Sequence, residues 1–411
     1  MDYYWRNPSL LRFVALSFLI SIFLPAVAAE RVDIFSALVQ VDSQQESDRE
    51  LAFVEALRQV IVKVSGDSVY LEEPQLDPIL ESPGTYVAGF SYQKNPWFEG
   101  KTMTSSSENA DEAQSDSDAS IGKSIPEREY LLRVQFEETA LIQNIRALGL
   151  PVWGALRPSI LAWVVMQREG ERHLVNSDYP EIMATLKSEA DRSGLPVFVP
   201  VGDLQDQGAV DLNALWGLFP SAVGAASRRY PSDIKLLARV YEADEGLELK
   251  WSLLAGNSAR NGRAQAQDYR SVWREMNESI ARDLSKQFSV ISDPLKDAQE
   301  LVVEVSGINR FVEYAKMVEH LESLSSVDTV ALQRVFQDKV DVVIRLHGSR
   351  GNFEQQVELA GKMRAVIPEF AAEPESVGVD DVNAVDELQE DESAVPVEAA
   401  YFYWLTSQES L

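Results

Sequence analysis

Three histidines, His173, His320 and His347, are the chain's proton carriers near neutral pH, and each stands apart from the others. Metal ligation by His and carboxylates works through short fixed spacings, and none of the three has a partner at such a spacing. His320 sits between Glu319 and Glu322, which reads as the solvated face of a helix. Ser65, within Val64-Ser65-Gly66-Asp67, has no histidine base to activate it, and Gly66 reads as a helix terminator. The sequence contains no Gly-x-Ser-x-Gly elbow, Walker loop or Gly-x-Gly-x-x-Gly turn. It also contains no cysteine, which removes thiolate nucleophiles, Cys-bound metals and disulfides. The expectation is a chain with no catalytic residues, no metal and no cofactor.

Binding chemistry has better candidates. Trp153-Gly154-Ala155-Leu156-Arg157-Pro158 follows Pro151, and such Pro and Gly punctuation marks a loop, where recognition groups concentrate. Tryptophan offers a large apolar face, and arginine a planar fork matched to carboxylates. Wall glycan, peptide stems and acidic protein segments all present carboxylates. In the competing reading, Trp153 plugs the end of a sheet, while Arg157 caps a helix or pairs with a structural acid. Asp203, just after Pro200, and Trp216 of Trp216-Gly217 are expected in loops following strands, on one side of the molecule. Tyr230 is a further candidate loop contact. Trp163, Trp251 and Trp273 fall in strand or helix patterns and are expected in the core.

Where these residues act is suggested by the first 29. Arg6 and Arg12 precede an apolar run at 13–24, then Pro25-Ala26-Val27-Ala28-Ala29, the pattern of a secretory signal peptide cleaved after Ala28 or Ala29. A membrane span needs roughly 20 consecutive apolar residues; this run is shorter and carries Ser17 and Ser21. No cysteine follows it for acylation. A soluble periplasmic chain is expected, without a membrane span after cleavage, and lack of cysteine suits that oxidising compartment.

The net charge is -28 over 411 residues, with 45% hydrophobic and 25% charged residues, an ordinary globular balance. Much of that charge is local. Residues 99–127 carry seven acids against Lys101 and Lys123, and 365–399 carry eleven acids with no Lys or Arg. Both stretches have the Ser, Glu, Asp and Ala bias of disorder, and read as solvating segments or as recognition tails for a basic partner. A nucleic-acid partner is disfavoured, since phosphate backbones need a basic surface.

Outside those stretches the pattern orders into elements. Strand 32–41 leads to a helix opened by Ser47-Asp48-Arg49-Glu50, read as a capping box, with Leu51, Val54, Leu57, Ile61 and Val64 as its stripe. Strands at 85–92 and 130–136, a helix at 138–148 and a strand at 159–166 complete a βαββαβ order. A mixed stretch at 180–288 reads as a small α/β sandwich that shares the 159–166 strand. Strand 301–305, helix 311–324, a hairpin at 327–346, helix 353–366 and an aromatic strand, Ala400-Tyr401-Phe402-Tyr403-Trp404-Leu405, repeat βαββαβ. The expected fold is α+β or α/β: tandem ferredoxin-like (βαββαβ) modules flanking a small α/β sandwich. The expected bounds are a signal peptide at 1–29, a first module at 30–168 with a disordered acidic insertion at 95–127, an α/β module at 169–292, and a last module at 297–411 with an acidic loop at 367–399.

Several runs carry a family likeness. Ala56-Leu57-Arg58-Gln59-Val60-Ile61-Val62-Lys63-Val64-Ser65-Gly66-Asp67, Leu150-Pro151-Val152-Trp153-Gly154-Ala155-Leu156-Arg157-Pro158, Leu195-Pro196-Val197-Phe198-Val199-Pro200 with Asp203-Leu204, and Ala226-Ser227-Arg228-Arg229-Tyr230 together resemble the uncharacterised bacterial domain of unknown function 2066 over 31–290. The resemblance implies an exported proteobacterial envelope protein and brings no activity with it. At fold level the middle module resembles the α/β domains of penicillin-binding protein activators and of the N-terminal part of the Tol translocation protein.

Two functions fit. One is a non-catalytic periplasmic protein that binds an envelope protein or cell-wall component as scaffold or accessory. The other is a hydrolase or ligand-binding module for a wall-derived or small acidic molecule, which requires Asp203, Asp206 and Arg157 to converge.

Overall fold

The computed structural model describes residues 30–95, 128–256, 258–292, 299–366 and 399–405. The signal peptide at 1–29, nearly all of the insertion at 95–127 and of the acidic loop at 367–399 lie outside the described residues. The described residues form a mixed α and β molecule with nine α-helices and four sheets. No helix among them is long and apolar enough to cross a membrane.

The first sheet is small. Strand β1 (Glu30–Arg31) pairs elsewhere, and β2 (Ser36–Val41) leads to helix α1 (Glu46–Ser65), the short α2 (Asp77–Leu80), β3 (Val87–Lys94), β4 (Tyr130–Phe136) and α3 (Glu138–Ala147). The strand order is β2-β4-β3, all antiparallel. In β4, Leu132, Val134 and Phe136 are buried while Arg133 and Gln135 are exposed, the alternation of a sheet with one packed face. Helix α1 buries Ala52, Ala56, Leu57, Val60, Ile61 and Val64 against that face, whereas Leu51 is 72% exposed. Two local expectations change here. The stripe begins at Ala52, and the helix starts one residue before Ser47, at Glu46. Ser47 therefore lies inside it and caps nothing, while Ser43 accepts from the Gln45 N–H. Gly66 does end the helix, at φ +79°, its N–H returning to Val62 O.

The 159–166 strand does not complete this sheet. After β5 (Leu156–Arg157), which pairs with β1, strand β6 (Ile160–Arg168) sits inside a second, six-stranded sheet. Its residues Ile160 through Met166 are all buried, and seven consecutive buried positions demand cover on both faces, which a three-layer middle unit supplies. That unit contains β7 (Glu171–Leu174), α4 (Pro180–Arg192), β8 (Val197–Phe198), α5 (Leu204–Ala209), α6 (Leu212–Trp216), β9 (Ile234–Ala243), β10 (Gly246–Ala255), β11 (Ser258–Ala266) and α7 (Tyr269–Phe288). The order is β11-β10-β9-β6-β7, with β8 and β9 parallel to β6. Helices α4 and α7 cover one face, where Trp251 and Trp273 are buried; the short α5 and α6 lie on the other, where Trp163 is buried. The first βαββαβ module is thus a βαββα unit, and its sixth element belongs to its neighbour.

The last sheet departs from expectation in a different way. It holds β12 (Gln299–Ser306), α8 (Phe311–Glu322), β13 (Val327–Phe336), β14 (Lys339–Leu346), α9 (Arg350–Ala360), β15 (Met363–Ala365) and β16 (Ala399–Trp404) in the order β13-β14-β12-β16-β15. A ferredoxin-like sheet has four strands, with the last antiparallel to the first. Here the aromatic strand β16 is parallel to β12 and is wedged between β12 and β15. Gly361, at φ +61°, ends α9 early, so Met363–Ala365, expected to be helical, forms the antiparallel fifth strand. Ala400, Phe402 and Trp404 fill the core while Tyr401 and Tyr403 point away, as period two requires.

Candidate functional site

The loop at 151–158 is a junction rather than an open surface. Trp153 is 1% exposed and its backbone N–H bonds Val64 O at the end of α1; the adjacent Val152 exchanges hydrogen bonds with Val290. Gly154 leaves room for the last module: a Cβ there would stand 2.9 Å from Ser325 Cβ. Arg157 is fully buried. Its guanidinium stacks on Trp153 at 3.8 Å and donates to five backbone carbonyls, those of Gly154, Trp153, Lys63, Ser193 and Gly194. Five bonds match the five N–H groups of arginine. Lys63 O belongs to the last turn of α1, and Ser193 and Gly194 follow the end of α4. Both helix ends carry partial negative charge, and they take the place of a carboxylate. Burial still pulls the guanidinium down to about 9, leaving it charged at neutral pH. The expectation that Trp153, Gly154 and Arg157 form a recognition surface is corrected: this buried arginine ties α1 to α4.

Lys63 extends the same knot. Its ammonium, lowered by burial and partly restored by Asp191, donates to Ser36 O at 3.0 Å and to Asp191 at 3.3 Å. Burial of these two neighbouring cations, Lys63 and Arg157, was not legible in the sequence.

Asp203 and Tyr230 do meet, with Asp206 and Arg229. Asp203 caps α5, accepting from the Asp206 N–H, and takes both nitrogens of Arg229 at 2.8 and 2.9 Å. Asp206, buried, accepts from Arg229 at 2.7 Å, from the Gly202 N–H at 3.0 Å and from the Tyr230 hydroxyl at 2.6 Å. That hydroxyl in turn accepts from the Val201 N–H. Arg229 holds the Asp203 carboxyl down to about 2, and burial with the Asp206 bond pushes Tyr230 up. Both oxygens of Asp206 are engaged, so the network closes on itself and pins the 201–206 loop to the 226–230 turn. Arg157 is elsewhere, and its place beside the two acids is taken by Arg229.

Trp216 opens onto a different surface. The face of the middle sheet beneath α5 and α6 is covered over Leu161, Trp163, Val165, Leu237 and their neighbours. Side chains two positions on share that face, which puts Arg239 and Tyr241 beside Leu237 on β9. Strand pairing then sets Arg239 opposite Lys250 of β10 and Lys250 opposite Arg263 of β11, a row of three cations on three adjacent strands. Tyr241 and Glu248 form the next pair. At the edge of the covered part, the Trp216 ring lies 4.5 Å from the Arg172 guanidinium, 5.5 Å from that of Arg239 and 5.6 Å from the Tyr241 ring. Arg172 donates to Asn213 at 2.7 Å and Arg239 to Trp216 O at 2.6 Å. Lys250 reaches Tyr241 at 3.2 Å and Glu248 at 2.7 Å, contacts that raise its pKa and lower that of Glu248. Trp216 holds two guanidiniums by cation–π contact instead of presenting a free ring face.

Like charges directly opposite one another weaken a sheet. Four cations, Arg172, Arg239, Lys250 and Arg263, share this region with Glu248 in a chain of net charge -28. The arrangement suits an anion: fixed donors on rigid strands, with an aromatic spacer between them. Among the described residues no group of three or more His, Asp or Glu is placed to hold a metal ion. His347 lies against Arg146 at the contact of α3 with the last module, 3.5 Å from Asp328. His320, expected to be solvated, packs 6.0 Å from the Trp404 ring, and its burial pulls it down to about 4.

A family model described as Domain of unknown function (DUF8605) matches residues 28–154. This overturns the likeness to domain of unknown function 2066, three of whose four runs extend past or lie beyond the matched span. No curated protein matches the chain. Solved structures similar to part of it include the competence damage-inducible protein A (ComA) from Klebsiella pneumoniae subsp. pneumoniae MGH 78578, at 13% identity, covering 36% of this chain and 91% of that one, with a TM-score of 0.21. A competence-damaged protein (CinA) superfamily protein from Escherichia coli is similar at 15% identity, covering 36% and 87%, with a TM-score of 0.20. Scores this low carry no argument about function.

Proposed function

We propose that this is a non-catalytic periplasmic protein that holds an anionic component of the cell envelope on the half-covered face of its middle sheet. The observation that carries the reading is the Arg239–Lys250–Arg263 row, with Arg172 and Trp216 at its border. Rigid strands hold these donors without a loop having to order on binding, so little entropy is lost. Carboxylates are the matching chemistry, and both wall peptide stems and acidic protein segments supply them. The apolar run and small-residue exit at the start of the sequence support the periplasmic address. The flanking modules are read as derivatives of the split-βαβ frame, since both keep the first-third-second strand order.

Titration calorimetry of the mature chain with soluble wall fragments, and separately with a poly-glutamate peptide, tests the proposal. Binding by one of them that weakens with added salt and is lost in Trp216→Ala supports it. No binding by either, or binding that Trp216→Ala leaves intact, overturns it.

A further inference from the structure

A second surface lies at the far edge of the last sheet. Among the described residues strand β13 pairs only with β14, which leaves one of its edges open there, and eight of its ten residues are exposed. Leu332, Val335 and Phe336 are 51%, 60% and 61% exposed. Ser306 aligns with Lys339, and Lys339 with Phe336, so the start of α8 stands at the same end of the sheet. It adds Phe311 at 81% and Val312 at 50% exposure. Five large apolar side chains therefore lie near a strand with one open edge, which is a template for strand addition. Register shifts at Asp328 and Gln333 interrupt its pairing with β14, leaving Thr329 through Leu332 regular between them.

We infer that this edge pairs antiparallel with β13 of a second copy of the chain, about a two-fold axis at Ala331. In that register Val330 faces Leu332 of the second copy, Val327 faces Val335, and Asp328 faces Arg334, each pair occurring twice. Slipping by two residues sets Asp328 opposite Leu332 or Phe336, which removes the added pair and leaves Arg334 with only Asp341 of its own chain and Asp328 with only His347. Slipping by one places the buried-face residues of one copy against the outer-face residues of the other. Charge complementarity thus selects a single register, and the partner that carries it is the chain itself. The pairing would join two five-stranded sheets edge to edge with their helices on one side.

Because the chain has no cysteine, single cysteines report the register cleanly. Ala331→Cys places two thiols directly opposite, within the roughly 4.5–5.5 Å Cα separation of cross-strand pairs that a disulfide spans. Thr329→Cys places them four residues out of register, roughly 13 Å along the strands and beyond reach. Under mild oxidation of the full mature chain, Ala331→Cys is expected to form a covalent dimer at least about tenfold faster than Thr329→Cys. In sedimentation equilibrium the wild type is expected to dimerise with concentration and Val335→Lys to stay monomeric. Leu51→Lys, the same change at an exposed apolar residue far from the edge, is expected to dimerise like wild type. A wild type monomeric at millimolar concentration, a Val335→Lys dimer as tight as wild type, or equal cross-linking at 329 and 331 would overturn the inference.

Discussion

Replacing Arg157 with methionine keeps the length and apolar body of the side chain and deletes its charge and five donors. Two opposing quantities decide the outcome. Burial pulls the guanidinium from 12.5 down to about 9, a cost for the charged form of about 5 kcal/mol. Against this stand five hydrogen bonds from a charged donor, at about 1.5–3 kcal/mol each, and two helix ends whose partial charges favour a cation. The bonds exceed the burial cost, and the methionine variant leaves five buried carbonyls without partners. Arg157→Met is therefore expected to lose about 3–5 kcal/mol, and Arg157→Lys, with three donors, to fall between it and wild type. Urea unfolding followed by circular dichroism should show the transition moving down by about 2 M. Hydrogen exchange should show early opening of the ends of α1 and α4. A methionine variant as stable as wild type would refute the reasoning, for it would mean that the buried charge costs as much as its bonds return.

Three further outcomes follow from the same geometry. Gly66→Ala should cost about 2–4 kcal/mol, because φ is +79° and the new Cβ would stand 2.2 Å from Ser285 Cβ; Gly149→Ala, at φ +69° with open space around it, should cost only about 1–2 kcal/mol in thermal unfolding. Asp206→Asn should destabilise by about 2–4 kcal/mol, since it leaves Arg229 facing a neutral amide inside a closed network; chemical denaturation that detects no change would count against that network. His320 is held to about 4 by burial, with Lys362 and Arg31 adding to the effect. The folded chain thus resists a proton that the unfolded chain takes up near 6.5, and the stability this gives above that pH is lost as pH falls toward 4, by about 3 kcal/mol. His320→Leu should flatten that acid limb, and an NMR titration in which His320 charges near 6.5 would refute the assignment.

Much of the secondary structure was legible because it follows period and punctuation. Strand β4 alternates Leu132, Val134 and Phe136, the β9–β10 hairpin turns at Gly246, and α1 stops at Gly66. Two of the strands that the sequence pattern does not announce share a cause. β7 (Glu-Arg-His-Leu) and β11 (Ser-Ala-Arg-Asn-Gly-Arg-Ala-Gln-Ala) lie on sheet edges, where polar residues are tolerated and no apolar alternation is needed. Assigning 159–166 to the first sheet failed for a tertiary reason: a run buried on both faces announces a central strand but not the sheet it enters. The direction of β16 was hidden by its long connection, which permits either orientation.

The candidate site divides along similar lines. Trp216 was identified from its type, but its companions Arg172, Arg239, Lys250 and Arg263 are separated by up to 91 positions, and only the strand register places them side by side. Arg157 was misread because an arginine after Pro and Gly resembles a loop contact; its burial depends on where two helices end. Asp203 and Asp206 both drew notice as acids, but the burial of Asp206 at the centre of their network, with Arg229 beside it in place of Arg157, depends on the tertiary fold.

The central claim is that the cation row binds an anion. The direct measurement is the affinity of wild-type chain and of Lys250→Glu/Arg263→Glu for the acidic probe across a salt series. The claim predicts wild-type binding that weakens steadily as salt screens it, and charge-reversed binding about tenfold weaker or more, with a shallower salt dependence. Equal affinities at every salt concentration would contradict it.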